Sequence, residues 1–169
     1  MILRELHIED EIEALCANEE LKADDFGFLL MYEPGMSWSD FIKLHEEFKN
    51  GPPAEGMVNA SFLLAVDDGE IVGRVSIRHS LNEWLLNFGG NIGYAVRPQF
   101  RRKGYATQIL NQALEYCRGL GLDRALVTCN DSNEASAKTI EKCGGVLENK
   151  ALEQIEGGER LVRRYWIDL

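Results

Sequence analysis

The passage from Ile92 to Cys117 constrains the fold more than any other stretch. Its apolar start, Ile92-Gly93-Tyr94-Ala95-Val96, ends at Pro98, which has no N–H and cannot continue an interior strand. Ala106, Ile109, Leu110, Ala113, Leu114 and Cys117 then recur at the spacing of one apolar helix face. Between strand and helix lie Arg101, Arg102, Lys103 and Gly104. A loop that opens a helix presents unpaired N–H groups and the positive end of the macrodipole. Gly104 has no β-carbon, so oxygens of a ligand could approach the main chain. The chemistry is that of an anion cradle suited to a phosphate or pyrophosphate, or more plainly of a solvated basic turn. Two familiar phosphate loops do not match. The dinucleotide fingerprint lacks two of its glycines, and Gly-Lys-Ser/Thr is absent.

After this helix, Gly119 and Gly121 give stop signals, and Arg124-Ala125-Leu126-Val127-Thr128-Cys129 is the next strand. Strand, helix, strand is a right-handed crossover, so 92–96 and 124–129 are expected to run parallel. Asn130 to Asn133 caps a second helix that runs through Lys142 to Gly144-Gly145, and Val146 begins another strand. Gly157-Gly158 turns into a last one, Leu161 to Ile167.

Upstream, Ile2 to Leu6 is a short strand. Ile12, Leu15, Cys16 and Leu21 suggest a helix capped by Asp10. Residues 24–34 read equally as a helix or as a loop over a pocket. A firmer helix follows Ser37, with Trp38, Phe41, Ile42, His45 and Phe48 on one face, and Asn50-Gly51-Pro52-Pro53 stops it. His45, among aromatics, reads as packed rather than catalytic. Phe62 to Val66 is a buried strand, Asp67-Asp68-Gly69-Glu70 a hairpin turn. The returning strand sends Ile71, Val75 and Ile77 to one face and Arg74, Ser76 and Arg78 to the other. The long connection from His79 to Asn91 carries Glu83, Trp84 and Phe88, and is either functional or a plug over a groove.

At 169 residues, one domain spanning the chain is expected. A net charge of −10 argues against a nucleic-acid partner and favours a neutral or cationic acceptor over an anionic one. It also makes Arg101-Arg102-Lys103 conspicuous as a place to steer an anion. No apolar stretch approaches the ~18 residues of a membrane span, and the start lacks signal-peptide character, so a cytoplasmic protein is expected. Cys16, Cys117, Cys129 and Cys143 are scattered and read as reduced, and His7, His45 and His79 show no ligand spacing, so no metal is implied.

Val96-x-Pro98-x-x-Arg101-x-x-Gly104-Tyr105-Ala106-Thr107 resembles the acetyl-CoA signature of the GNAT superfamily of N-acetyltransferases, Arg/Gln-x-x-Gly-x-Gly/Ala. Residues Asn133 to Gly145 resemble the family's second cofactor segment, Asn-x-x-Ala-x-x-Leu-Tyr-x-Lys-x-Gly-Phe. The likeness is good from Phe62 to Gly145, slight in the first fifty residues, and nearest to an uncharacterised bacterial subgroup. It implies an α+β fold in α/β/α layers: a mixed, mainly antiparallel sheet, two splayed parallel strands and helices on both faces. It also implies that Arg101, Arg102, Lys103, Gly104, Tyr105, Ala106 and Thr107 hold the pyrophosphate of acetyl-CoA. Ala95 and Val96 would flank its pantetheine arm, and Asn133 and Ser136 would bond to it. Residues 1–56 would be acceptor-side helices, 57–145 the cofactor-binding core and 146–169 C-terminal strands.

The activity implied is acetyl transfer from acetyl-CoA to a primary amine by direct attack in a ternary complex, with a strand N–H stabilising the carbonyl oxygen. His79 and Glu83 are the candidate bases, and Asn91 and Tyr94 could orient a water or the acceptor. Two departures stand out. Ile140 occupies the position of the tyrosine acid, and Gly145 that of a phenylalanine. An acyl-CoA sensor without turnover fits Ile140, and an interaction protein that keeps only the fold is a further alternative. Small-molecule amine, antibiotic, peptide N-terminus and lysine side chain all stay open as acceptors, and an exposed sheet edge is compatible with a homodimer.

Overall fold

Unbroken apolar runs in the middle of the chain build the sheet. In the computed structural model, which describes residues 1–24, 26–51 and 54–169, β1 is Ile2–Arg4, β2 Ala60–Asp67 and β3 Glu70–Arg78. The central strands are β4, Ile92–Val96, and β5, Arg124–Asn130; β6, Val146–Ile155, and β7, Gly158–Asp168, follow as a hairpin. They form one seven-stranded sheet in the order β1-β2-β3-β4-β5-β7-β6. Every neighbouring pair is antiparallel except β4 and β5. The turn between β2 and β3 has φ of 49° at Asp68 and 84° at Gly69, the left-handed pair that a two-residue hairpin needs.

Helices cover both faces. α1 is Glu11–Lys22, α2 Trp38–Asn50, α3 Tyr105–Gly119 and α4 Glu134–Lys142. Ile109, Leu110 and Ala113 of α3 and Ala137 and Ile140 of α4 pack on Val75, Ile77, Ile92, Val127 and Tyr165. On the opposite face, Leu21 of α1 and Trp38 and Phe41 of α2 enclose Phe62, Leu64 and Ile71 together with Phe28 from the α1–α2 connection. The layered α+β architecture and the parallel central pair are as expected. No described helix is long and apolar enough to cross a membrane.

Three expectations need correction. Ile71 faces α1 and α2, whereas Val75 and Ile77 face α3. The pairing slips between Ala65↔Gly73 and Val66↔Ile71, so Val72 is an extra residue that reverses the alternation. In α1 the buried face is Ala14, Ala17 and Leu21, while Ile12 is 79% exposed and Cys16 is also on the outside. Asp10 does not cap α1 with its side chain; its carboxylate binds the Arg4 guanidinium (2.6 and 2.7 Å) and the His7 N–H (2.7 Å). Residues 24–34 are a loop within the described part, and Pro52 and Pro53 lie outside the described residues.

His45 is packed, as its neighbours suggested. It stacks on Phe62 (4.6 Å between centroids), meets Phe41 edge-on and places Nε2 3.2 Å from the Leu30 carbonyl. Burial pulls its pKa down to about 4. A histidine held neutral in the folded state adds stability above its ordinary value of 6.5 that is lost as pH falls through about 4. Thermal stability is therefore expected to fall steeply as pH drops between those values, by at most ~3 kcal/mol from this group, and His45→Gln should flatten the slope. An unchanged acid slope in the variant contradicts this.

Candidate active site

The parallel strands form a fork. β4 stays paired with β3 from Ile77↔Ile92 to Gly73↔Val96, and β5 stays paired with β7 from Arg124↔Asp168 to Asn130↔Val162. Between β4 and β5 the sole pair is Ile92↔Val127. Beyond Ile92 the strands diverge, which leaves the β4 edge toward Val96 without a partner strand.

Asn91 closes the joined end. Its N–H donates to the Leu126 carbonyl (2.7 Å), its Oδ1 accepts the Leu126 N–H (2.9 Å), and its Nδ2 donates to the Arg78 carbonyl (3.2 Å). The side-chain amide thus stands in for the next rung of the ladder. Asn91→Ala orphans the buried Leu126 N–H and is expected to cost about 2–3 kcal/mol, read as a lower denaturant midpoint at unchanged slope. An unaltered midpoint removes this role.

The open end of the fork leads to the basic loop. Arg102 (φ 63°) and Gly104 (φ 85°) both take left-handed backbone, and Gly104 is the N-cap of α3 without any side-chain cap bond. The first helix-opening bond is from Gln108 N–H to the Gly104 carbonyl, so the N–H groups from Arg102 to Thr107 have no acceptor among the described residues. A β-carbon on Gly104 would meet nothing within 4 Å. Free donors, an open approach and the positive end of a 15-residue helix together fit a phosphate group. Arg101 is tied to Asp24 (2.5 Å) and to the Val96 carbonyl (3.2 Å), and Lys103 lies over the Phe100 ring. Arg102 is exposed and makes no ion pair among the described residues.

Deeper in the fork, Tyr94 turns toward α4. Its hydroxyl lies 3.0 Å from Ser136 Oγ, and burial pushes its pKa up to about 12, so it carries its proton throughout the neutral range. Asn133 caps α4 by accepting the Ser136 N–H at Oδ1 (3.0 Å), which leaves its Nδ2 to donate elsewhere. Ile140 is fully buried against α3 and the sheet. A β-carbon on Gly145 would come within 2.5 Å of Ile140 Cγ2 and 2.8 Å of the Ile140 carbonyl oxygen, so both side chain and main chain at Ile140 exclude one.

His79 and Glu83 are not brought to this fork by their contacts. His79 Nε2 is 2.8 Å from Ser61 Oγ, which is 2.8 Å from the Tyr116 hydroxyl, on the α3 side of the joined end. Burial and then Lys49 lower its pKa. Glu83 is exposed on the turn that precedes Leu85–Gly89. That turn packs over the sheet through Thr128 Oγ1, which donates to the Phe88 carbonyl (2.8 Å), and through Arg164, which donates to the Leu86 carbonyl. Across from the turn, Arg74 donates to the carbonyls of Gly27, Phe28 and Gly93, so the α1–α2 loop and the sheet meet at its guanidinium. Alternation along β3 put Arg74, Ser76 and Arg78 on one face, yet nothing local marked them as a site.

The family model described as Acetyltransferase (GNAT) domain matches residues 1–146. An uncharacterized N-acetyltransferase of Bacillus subtilis, YjdG, is 28% identical over 133 residues, spanning 73% of this chain and 76% of that protein. Among solved structures, an acetyltransferase of the GNAT family from Streptococcus pneumoniae superposes with a TM-score of 0.69 at 20% identity, covering 99% of both chains. The yncA protein of Salmonella typhimurium, solved with its cofactor acetyl-CoA, superposes with a TM-score of 0.68 at 13% identity, covering 99% of this chain and 93% of that one.

Proposed function

Because this chain belongs to the GNAT acetyltransferase family, we propose that it carries an acetyl group from acetyl-CoA to a primary amine by direct attack within the fork between β4 and β5. It is an N-acetyltransferase, and acetyl-CoA is its acetyl donor. The observation that carries the detailed reading is the single β4–β5 pair at Ile92↔Val127, from which the fork opens toward the free N–H groups of residues 102–107.

Acetyl-CoA supplies an activated thioester; the rest is done by this chain's groups. The amides from Arg102 to Thr107, with the Arg102 and Lys103 cations, would hold the pyrophosphate. Hydrogen bonds to a charged group contribute roughly 1.5–3 kcal/mol each, enough for micromolar affinity once association costs are met. The Val96 N–H on the unpaired edge of β4 and the free Nδ2 of Asn133 offer donors to the pantetheine arm, whereas the Ala95 carbonyl points back to β3 and Ala95 would only flank the arm. Tyr94 Oη, kept protonated by burial and oriented by Ser136, gives its proton to the departing thiolate and regains one from the acylated nitrogen, so that the amine proton ends on the CoA thiol. It takes over from α4 the duty that Ile140 cannot perform. α1, α2 and Phe28 and Leu29 between them would wall the acceptor side of the sheet.

Incubation with acetyl-CoA and a panel of primary amines tests the reading. Free thiol and N-acetylated amine should appear in equal amounts. Protein that binds acetyl-CoA but releases no thiol above the amine-free rate with any member of the panel overturns the transfer step.

A further inference from the structure

We infer that the acceptor carries an anionic group, a carboxylate or phosphonate close to its amine, and that Arg78, backed by Arg74, binds it. This rests on the acetyltransferase reading and specifies the acceptor side of the same site.

Arginines in this chain that are buried or half-buried are as a rule paired with carboxylates. Arg97 binds Glu13 and Glu20 (both 2.7 Å), Arg163 binds Asp131 and Glu134 (both 2.6 Å), Arg164 binds Glu148 (2.5 Å) and Arg4 binds Asp10 (2.6 Å). With 28 acidic residues against 18 lysines and arginines, counter-ions are plentiful. Arg74 and Arg78 are the departure. Arg74 is 2% exposed, and its hydrogen-bond partners are neutral carbonyls, of Phe28 (3.1 Å), Gly93 (3.0 Å) and Gly27 (3.0 Å). The Arg78 side chain, only half-buried, makes no hydrogen bond and no ion pair among the described residues, and its nitrogens stay open to an incoming group.

Their location gives this a direction. Both side chains project from β3 to the face covered by α1 and α2, with Ser76 between them. Arg78 lies against Gly93, so closely that a β-carbon on Gly93 would come within 3.0 Å of its Nη1. Gly93 is the first β4 residue beyond the last β4–β5 pair. The free guanidinium therefore sits at the crotch of the fork, on the side opposite Tyr94 and α4.

A guanidinium cannot shed its charge to relieve burial, and two of them on one face repel. The proximity of Arg78 adds to burial in depressing Arg74. An oxyanion seated on the free fork of Arg78 removes both penalties and gains bidentate hydrogen bonds. The separation is short, since anion and amine must both reach the crotch at Gly93. That favours compact amino acids or aminophosphonates over long polyamines. The second cation has a catalytic consequence as well. Net positive charge beside a substrate ammonium lowers its pKa and raises the fraction of neutral, nucleophilic amine.

The experiment pairs acceptors that differ only in charge: amino acids beside their carboxamides, and aminophosphonates beside their neutral diesters. Thiol release is measured with wild type, Arg78→Gln and Arg78→Lys, and each anionic amine is titrated calorimetrically into CoA-saturated protein. Anionic members are expected to exceed their neutral partners about 100-fold in kcat/KM. Arg78→Gln should erase that preference through the acceptor KM while leaving acetyl-CoA binding within about threefold, and Arg78→Lys should restore part of it. Turnover confined to neutral or cationic amines overturns the inference, as does the absence of calorimetric binding by every anionic amine. Titration of acetyl-CoA itself separates the two readings. If it binds and the anionic amines fail, only the acceptor assignment falls; if it does not bind, the acetyltransferase reading falls too.

Discussion

Gly104→Glu is expected to weaken acetyl-CoA binding at least ~100-fold while leaving the fold intact. Two effects add. At φ 85° any residue with a β-carbon is strained by about 1–2 kcal/mol, and relaxing that strain moves the amides on either side out of register. A carboxylate is also placed where the free N–H groups of residues 102–107 and the end of α3 favour an anion, so it competes with the pyrophosphate and repels it. Nothing lies within 4 Å of the added β-carbon, so the core does not feel the change. Gly104→Ala separates the effects: it keeps the strain without the charge and is expected to lose about tenfold. Calorimetric titration reads both. Near-wild-type affinity in Gly104→Glu would move the phosphate site elsewhere.

Tyr94→Phe is the second large effect, and it should fall on the rate rather than on binding. The hydroxyl is expected to act only when sulfur departs, so kcat should fall about 100-fold with acetyl-CoA affinity within about threefold. The pH dependence is distinctive. Burial raises the tyrosine pKa from 10.0 to about 12, and the Ser136 hydrogen bond counteracts only part of that shift. The proton is therefore present across the whole working range, and the ratio of wild-type to variant rates should be constant from about pH 7 to 9. The stability that comes from burying the neutral phenol is full below pH 10.0 and is lost as pH rises toward about 12. A kcat within about twofold of wild type would reduce Tyr94 to a packing residue.

The features that sequence alone revealed are those written locally. Pro98, the cations at 101–103, Gly104 and the apolar face from Ala106 to Cys117 fix a strand, a loop and a helix start without reference to the rest of the chain. The parallel crossover follows from handedness. What escaped depends on neighbours distant in sequence. Alternation along β3 cannot reveal that Val72 is an extra residue, because the slip exists only relative to β2. The buried face of α1 was misread because Ala14 and Ala17, small enough to let the helix approach the sheet, carry less hydrophobic signal than the exposed Ile12. The contact of the Tyr94 hydroxyl with Ser136 escaped because the two lie 42 residues apart in the chain. Nor does overall charge decide the acceptor, for a similar reason. A net −10 describes the surface, whereas Arg74 and Arg78 face the crotch of the fork, and carboxylates elsewhere are engaged with other arginines.

The most direct test of the central claim is titration of acetyl-CoA into 15N-labelled protein, followed by two-dimensional NMR. The account predicts saturable shifts of the Arg102 to Thr107 amides together with those of Gly93 to Val96 along the open β4 edge. Saturable shifts that cluster elsewhere while residues 102–107 stay unmoved, or no saturable shifts at all, would contradict it.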